Sequence, residues 1–575
     1  MLQELTDYYE EYCRSIRGEA EHLRNDRMPR ITEELFAIFE NTGNRLTYED
    51  VYFLRRKHLA VFGLKAVLDG EKGDLEKLEE VLADVCAEEC WALPAHVNRK
   101  ADPDWRIRVD LFAAETAQTL SEISFLLKGR LSDQVTKKVR GEVMRRVLIP
   151  FYRSKVPYGG WEYNESNWCA VCGGSVGSAA MYLLKEEPEM LEGILERICY
   201  SLEHYYLRGF AADGTCLEGL GYFTYGMTYF TGFAEQLYRF SGGKRDLFRI
   251  QGLDRIAAFQ AKCYFKSGRT VSFADGSMDD TFRPGLTCFL AMKYPEAGIP
   301  AMERAGGLND DTCYRWMALY RNLTWTRLYL DKLSGGEIPQ AERGEPEGQI
   351  VLPDAQWTIC QSGNGAGMGA KGGRNDEPHN HNDIGSFFYL DGKDFLLTDL
   401  GCGEYTKDYF SEKRYSYLCC RSLGHNIPLI DGKEQLPGRE YGCDLFEADG
   451  RGRTVISFGK AYGNPRLESL VRTLEWDPAD GSLQVEDLCR AIGKRLSMRE
   501  NLVTRWKPRI EGNLIWIQGE ERGCLIQVEE PLGEIECILQ DFSDHGGVHR
   551  DVWLLQWEAK GQGLKTQARF TVRPV

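Results

Sequence analysis

No stretch of this 575-residue chain stays apolar long enough to cross a bilayer, so no membrane partner is expected. The opening residues, MLQELTDYYEEYCRSIRGEAEHLR, lack the apolar core of a secretion signal. A cytoplasmic location is the expectation, although a chain trimmed of its leader would begin the same way. Excess positive charge is missing too. With 71 Lys and Arg against 87 Asp and Glu, the net charge is −16, which excludes general nucleic-acid binding because that needs a basic surface. The 18 cysteines are scattered, and without a secretion signal they are expected as reduced, mostly buried thiols. No segment repeats at a fixed period. What is present is ample apolar material, 43% hydrophobic and 11% aromatic residues, which excludes a disordered chain. The length exceeds what one core serves, so two or three domains are expected.

To about residue 332 the periodicity is helical. Val109, Phe112, Thr116, Leu120, Ile123 and Leu127 recur at three- and four-residue steps, as do Leu191, Ile194, Ile198, Leu202 and Tyr205. Short Gly, Pro and Asp breaks between such segments predict paired antiparallel helices, compatible with a solenoid, a bundle or a toroid. Residues 333–348, LSGGEIPQAERGEPEG, are poor in apolar side chains and read as a linker. Over 349–575 the pattern becomes strands. Ser386–Leu390 and Phe395–Leu397 flank an Asp391-Gly392 hairpin signal. Arg453–Phe458, Leu467–Trp476, Ser482–Cys489, Asn513–Gln518, Cys524–Val528, Val552–Trp557 and Ala568–Arg573 continue it, predicting a sandwich of antiparallel sheets.

The most chemically suggestive run is His379-Asn-His-Asn-Asp383. As a strand, it would set His379, His381 and Asp383 on one side. Two imidazoles this close suit holding a metal or moving a proton, whereas an isolated pair is more often a polar strand edge. Further along come Asp399-Leu-Gly401 and Gly424-His425-Asn426.

The series HNHND, LLTDLGCGEY at 396–405 and RSLGHNIPLIDGKEQ at 421–435 resembles the C-terminal signature of the heparinase II/III-like polysaccharide lyases. Asn167-Trp168 and Asp213-Gly-Thr-Cys-Leu-Glu-Gly-Leu-Gly-Tyr222 fit in order, so the resemblance covers roughly residues 160–435. It implies an N-terminal incomplete α/α toroid carrying the catalytic function (1–332), the linker, and an antiparallel β-sandwich (349–575) that contributes histidines and a metal site. It also implies one divalent ion on His381, Asp399 and His425, structural in role. Two imidazoles and a carboxylate suit zinc, with manganese the alternative.

By the same resemblance Asn167, Tyr222 and His379 are the catalytic candidates. β-Elimination removes the weakly acidic C5 proton of a uronate, so the neighbouring carboxylate must first be neutralised. Asn167 and His379 can do this. Tyr222 can serve as base, then as acid toward the leaving oxygen. Tyr222 sits in an aromatic stretch that core packing alone would explain, and Tyr225 is the rival one helical turn on. Trp168, Glu218, Arg374 and Arg421 are the substrate-binding candidates, the arginines through bidentate grip of carboxylate or sulfate. Asp275, in FADGS, either lines the cleft, as Glu218 would, or belongs to a solvated loop or helix cap. Lys371, Arg374, Lys407, Lys413, Arg414 and Arg421 cluster in sequence, a local positive field within an acidic chain.

Two motifs are decoys. Gly367-Met-Gly-Ala-Lys-Gly372 leads into a strand-like segment, where a dinucleotide site needs a helix. Trp168-Cys-Ala-Val-Cys172 has no βαβ pattern before it, so two buried helix cysteines are expected there. The reading is a lyase acting on glycosaminoglycans such as heparan sulfate, hyaluronan or chondroitin, or on their oligosaccharides. Alginate or another polyuronate is the alternative substrate. A hydrolase of the same toroid or a non-catalytic glycan-binding protein is the alternative class. Homo-oligomerisation is left open.

Overall fold

The computed structural model describes residues 1–341 and 348–575, so the 342–347 part of the expected linker lies outside the described residues. The class expected from the sequence, a helical toroid followed by a β-sandwich, is the one found. The chain forms two compact units. The first comprises Met1–Phe210, Tyr222–Ala257 and Thr281–Arg343; the second comprises Ala211–Gly221, Ala258–Asp280 and Gly344–Val575. Two short segments from the helical region therefore belong with the sheets. They carry Glu218 and Asp275.

In the first unit, the helix Leu111–Leu126 is capped by Asp110, whose carboxylate accepts from the Ala113 N–H at 2.7 Å. Its expected apolar positions, Phe112, Thr116, Leu120 and Ile123, are buried. Leu191, Ile194, Ile198 and Leu202 are likewise the buried positions of helix Pro188–His204. The helix Asn167–Leu183 meets the helix Leu220–Phe240 through glycines. A Cβ on Gly174 would lie 2.7 Å from the Tyr229 carbonyl oxygen, and one on Gly177 would lie 2.4 Å from the Phe233 ring. Both contacts advance in the same direction, so the two helices run parallel there. Asn167 and Tyr222 each lie seven residues before the Gly174–Tyr229 contact. Both are therefore at the N-terminal end of their helices, at matching levels. Among the described residues no helix is long and apolar enough to cross a membrane.

In the second unit, a five-stranded antiparallel sheet runs in sequence order through Gly348–Leu352, Trp357–Gln361, Ala366–Lys371, Phe387–Asp391 and Asp394–Leu397. The expected Asp391-Gly392 turn closes its last hairpin, with Gly392 at φ 56°. A larger sheet is centred on Leu467–Trp476, Leu483–Ala491 and Lys565–Pro574. Met368, Phe387 and Tyr389 share one core cluster with Leu470, Leu474, Val485, Ile526 and Phe570, so apolar faces of the two sheets close on each other. A four-stranded sheet adds Leu429–Ile430, Met498–Thr504, Leu532–Ser543 and His549–Glu558. The decoys resolve as expected: residues 367–371 lie in a strand, and Cys169 and Cys172 are buried in a helix. All 18 cysteines are free thiols.

Candidate active site and metal centre

The His379–Asp383 run is not a strand. It lies in the loop between strands Arg374–Asn375 and Phe387–Asp391, and His379 adopts φ 56°. The alternation of polar residues matched a strand period, yet the backbone is held by the loop 419–435 instead. The Asn382 N–H donates to Cys420 O at 3.0 Å. Ser422 Oγ donates to Asn382 O at 2.8 Å, and the Ile384 N–H donates to Gln435 Oε1 at 3.1 Å. Asp383 is buried against Lys371 Nζ at 2.9 Å. It therefore anchors the loop rather than lining a common face with the histidines.

His381, Asp399 and His425 converge, all buried, with one ligand atom from each within 4.8 Å of the others. The remaining polar atoms fix which atoms face inward. His425 Nε2 lies 2.8 Å from the Cys419 carbonyl, which can only accept, so Nε2 carries the proton and Nδ1 keeps its lone pair. His381 Nε2 lies 3.0 Å from Asp275 Oδ1, with the same consequence. Asp399 Oδ1 accepts from the Gly401 N–H at 2.9 Å. What is left is His381 Nδ1, His425 Nδ1 and Asp399 Oδ2, three buried atoms that make no hydrogen bond among the described residues, with His425 Nδ1 3.3 Å from Asp399 Oδ2. Such orphans are costly unless something else satisfies them. Two neutral imidazoles and one carboxylate, with the outer nitrogens held by a carbonyl and a carboxylate, fit a divalent ion such as zinc.

His379 lies beside this cradle and is partly exposed. Its Nδ1 donates to Asp275 Oδ2 at 2.7 Å, and its Nε2 lies 3.5 Å from Glu218 Oε1. Asp275 is fully buried yet charged. Burial would raise its carboxyl, but hydrogen bonds from His379 and His381 and the charges of His379 and Arg414 hold it well below the usual range. Sequence reasoning placed Asp275 on a cleft or a cap. It missed that this residue collects Tyr405, Tyr409 and Arg414 as well, because those partners lie 130 to 139 positions away.

In the helical unit, Asn167 is the first residue of its helix and is buried. Trp168 packs edge to face on His96, ring centroids 4.8 Å apart. Tyr222 is in the first turn of Leu220–Phe240. The rival Tyr225 donates its hydroxyl to Glu115 Oε1 at 2.5 Å, and the Arg315 guanidinium sits 4.1 Å over its ring. Burial, then the charge of Glu115, raise the Tyr225 hydroxyl well above its ordinary value, so its phenolate is scarcely populated.

The two arginines proposed for substrate are both engaged by local acids. Arg421 grips Glu434 at 3.0 and 3.1 Å, and Arg374 pairs with Asp376 at 3.0 Å. Lys371, Lys413 and Arg414 are paired in the same way, with Asp383, Asp408 and Asp275. The expected local field is therefore largely neutralised within the loops. Of the basic run only Arg414 reaches the His379 network.

No protein-family model matches the chain, and no curated protein matches it by sequence. Solved structures do. A structure of heparinase III superposes with a TM-score of 0.64 at 11% identity, covering 100% of this chain and 92% of that one. A mutant of the heparan sulfate lyase HepC of Pedobacter heparinus gives 0.59 at 13% identity, covering 92% and 77%. A mutant of the chondroitin AC lyase of Streptomyces coelicolor A3 gives 0.52 at 12% identity, covering 100% and 79%. At these identities the likeness establishes a shared fold.

Proposed function

We propose that this protein is a polysaccharide lyase that cleaves uronate-containing glycans by β-elimination, with glycosaminoglycans or their oligosaccharides as substrates. The observation that carries the reading is His379. It is a partly exposed imidazole oriented by a buried carboxylate, two residues from a buried His/Asp/His cradle, in a chain whose fold is shared with heparan sulfate and chondroitin lyases.

In this reading His379 and Asn167 hydrogen-bond the uronate carboxylate and blunt its charge, so that the C5 proton becomes removable. Tyr222, as phenolate, takes that proton. The electron pair left on C5 forms the C4–C5 double bond as the C4–O bond breaks, and the Tyr222 hydroxyl returns the proton to the leaving oxygen. Asn167 and Tyr222 open parallel helices at matching levels, which favours joint action on one sugar. Tyr225 is committed to Glu115 and leaves Tyr222 as the better base. Asp275, saturated by donors, is unsuited to the acid–base pair a hydrolase needs. An ion held by His381, Asp399 and His425 would supply charge compensation for Asp399 and a fixed loop geometry. The test is a panel of uronate glycans read for new ultraviolet absorbance. No absorbance with any uronate glycan, including short oligosaccharides, would overturn the proposal.

A further inference from the structure

We infer that Asp275 is a positioning residue through which the ion cradle and His379 are mechanically joined, an inference that rests on the proposed lyase reading for the role of His379. Oδ2 of Asp275 accepts from His379 Nδ1 at 2.7 Å and from the Tyr405 hydroxyl at 3.0 Å; Oδ1 accepts from His381 Nε2 at 3.0 Å and from the Tyr409 hydroxyl at 2.6 Å. Arg414 lies 3.2 and 3.3 Å from the two oxygens. Five residues thus fill a carboxylate that offers about four lone-pair sites. Compensating one buried charge needs fewer. The surplus fixes orientation.

Strain points the same way. His379 and Ala274, the neighbour of Asp275, both have left-handed backbones, at φ 56° and 59°. Non-glycine residues hold such conformations only where the surroundings over-determine them, and they gather at functional sites. Here one strained residue donates a hydrogen bond and the other immediately precedes its acceptor. That bond places the proton on His379 Nδ1 and turns Nε2 toward Glu218. The second oxygen does the same for His381, sending its Nδ1 into the cradle. One carboxylate therefore sets the tautomer of the imidazole proposed to meet substrate and of an imidazole proposed to meet the ion. Disturbing either end disturbs the other.

The test uses the full chain, labelled with nitrogen-15 on histidine and loaded with zinc. In the wild type, side-chain correlation spectra should show His379 protonated on Nδ1, assigned by its loss in His379→Ala. Stripping the ion should shift or broaden that signal, and reloading should restore it. Asp275→Asn should abolish the Nδ1–H signal and weaken zinc affinity about 10–100-fold, as loss of a partner behind a ligand commonly does. It should also lower kcat by up to about 10⁴-fold with KM little changed, the scale on which an orienting carboxylate behind a catalytic imidazole acts. Excess zinc should not restore the rate. Tyr405→Phe removes a different donor from Oδ2 and should leave the His379 tautomer intact. A His379 protonated on Nε2 but not on Nδ1 in the wild type, or a His379 signal indifferent to ion removal, would overturn the inference; neither arm needs Asp275→Asn to fold. A wild type inactive on every uronate glycan would instead sink the lyase reading, leaving the tautomer and zinc results to decide the coupling.

Discussion

His425→Ala removes one of three inward-facing ligand atoms while leaving the strands around it in place. Two costs should separate cleanly. The first is independent of metal: Asp399 Oδ2 loses the imidazole 3.3 Å away and remains buried, so the variant starts less stable. The second is the stabilisation that bound ion contributes, which grows with the logarithm of ligand over Kd. If losing a ligand weakens binding at least about 100-fold, near the upper end for loss of a supporting partner, the linked stability falls by about 2.7 kcal/mol in excess metal. For a unit of about 250 residues, at roughly 2–4 °C per kcal/mol, that is about 5–10 °C of Tm. Differential scanning calorimetry with and without chelator isolates it: chelation should lower the wild-type Tm by about 5–10 °C more than that of His425→Ala. Elemental analysis should find about one divalent ion per wild-type chain and little in the variant. Equal metal content, or equal chelator sensitivity, would refute the assignment of His425.

Tyr222→Phe should lower turnover by about 10⁴-fold, the upper end for a positioned acid–base group, while preserving fold and glycan binding. Tyr225→Phe should cost far less, and the reverse ranking would show the wrong tyrosine was chosen. A pure glycan-binding protein would tolerate Tyr222→Phe without functional change. Arg472, fully buried, bonds Asp487 at 2.6 and 2.9 Å and also donates to Gly385 O at 2.7 Å and to Asn426 O. Arg472→Ala should therefore cost about 3–5 kcal/mol in denaturant unfolding, because a carboxylate is left unpaired; a loss under 1 kcal/mol would contradict that pairing. Burial pushes Glu115 up to about 7 from the usual 4.5, against the pull of Arg315. The folded state thus holds this proton more tightly than the unfolded chain, so this group's contribution to stability is fully present below about pH 4.5 and is lost as pH rises through about 7. Glu115→Gln should flatten that fall, worth up to about 3 kcal/mol, in unfolding curves at pH 5 and 8; an unchanged slope would refute it.

The sequence made the helical and sheet regions legible because helix and strand periods differ. It also brought together the ion cradle, since His381, Asp399 and His425 fall on a recognisable series. Two things resisted reading. The alternation of HNHND is the period of a strand, yet polar loop residues held by side-chain hydrogen bonds show the same spacing, and nothing local marks φ 56° at His379. The segment FKSGRTVSFADGSMDD at 265–280 breaks helical periodicity, a signal that it leaves the helical unit, but its destination beside His379 is a long-range fact. The same distance hid the tie between Asp275 and Arg414, which appeared only as one member of a basic run. An arginine's chemistry likewise says nothing of the Asp376 and Glu434 that Arg374 and Arg421 pair with.

The central claim is elimination without water, and isotope labelling of products tests it most directly. Digesting a uronate glycan in oxygen-18 water and analysing products by mass spectrometry should give an unsaturated uronate absorbing in the ultraviolet, with no label introduced by cleavage. Reducing the substrate carboxylates to alcohols should abolish the reaction, because nothing remains to stabilise the charge developing at C5. Oxygen-18 in the new reducing end, beside a saturated uronate, would contradict the account.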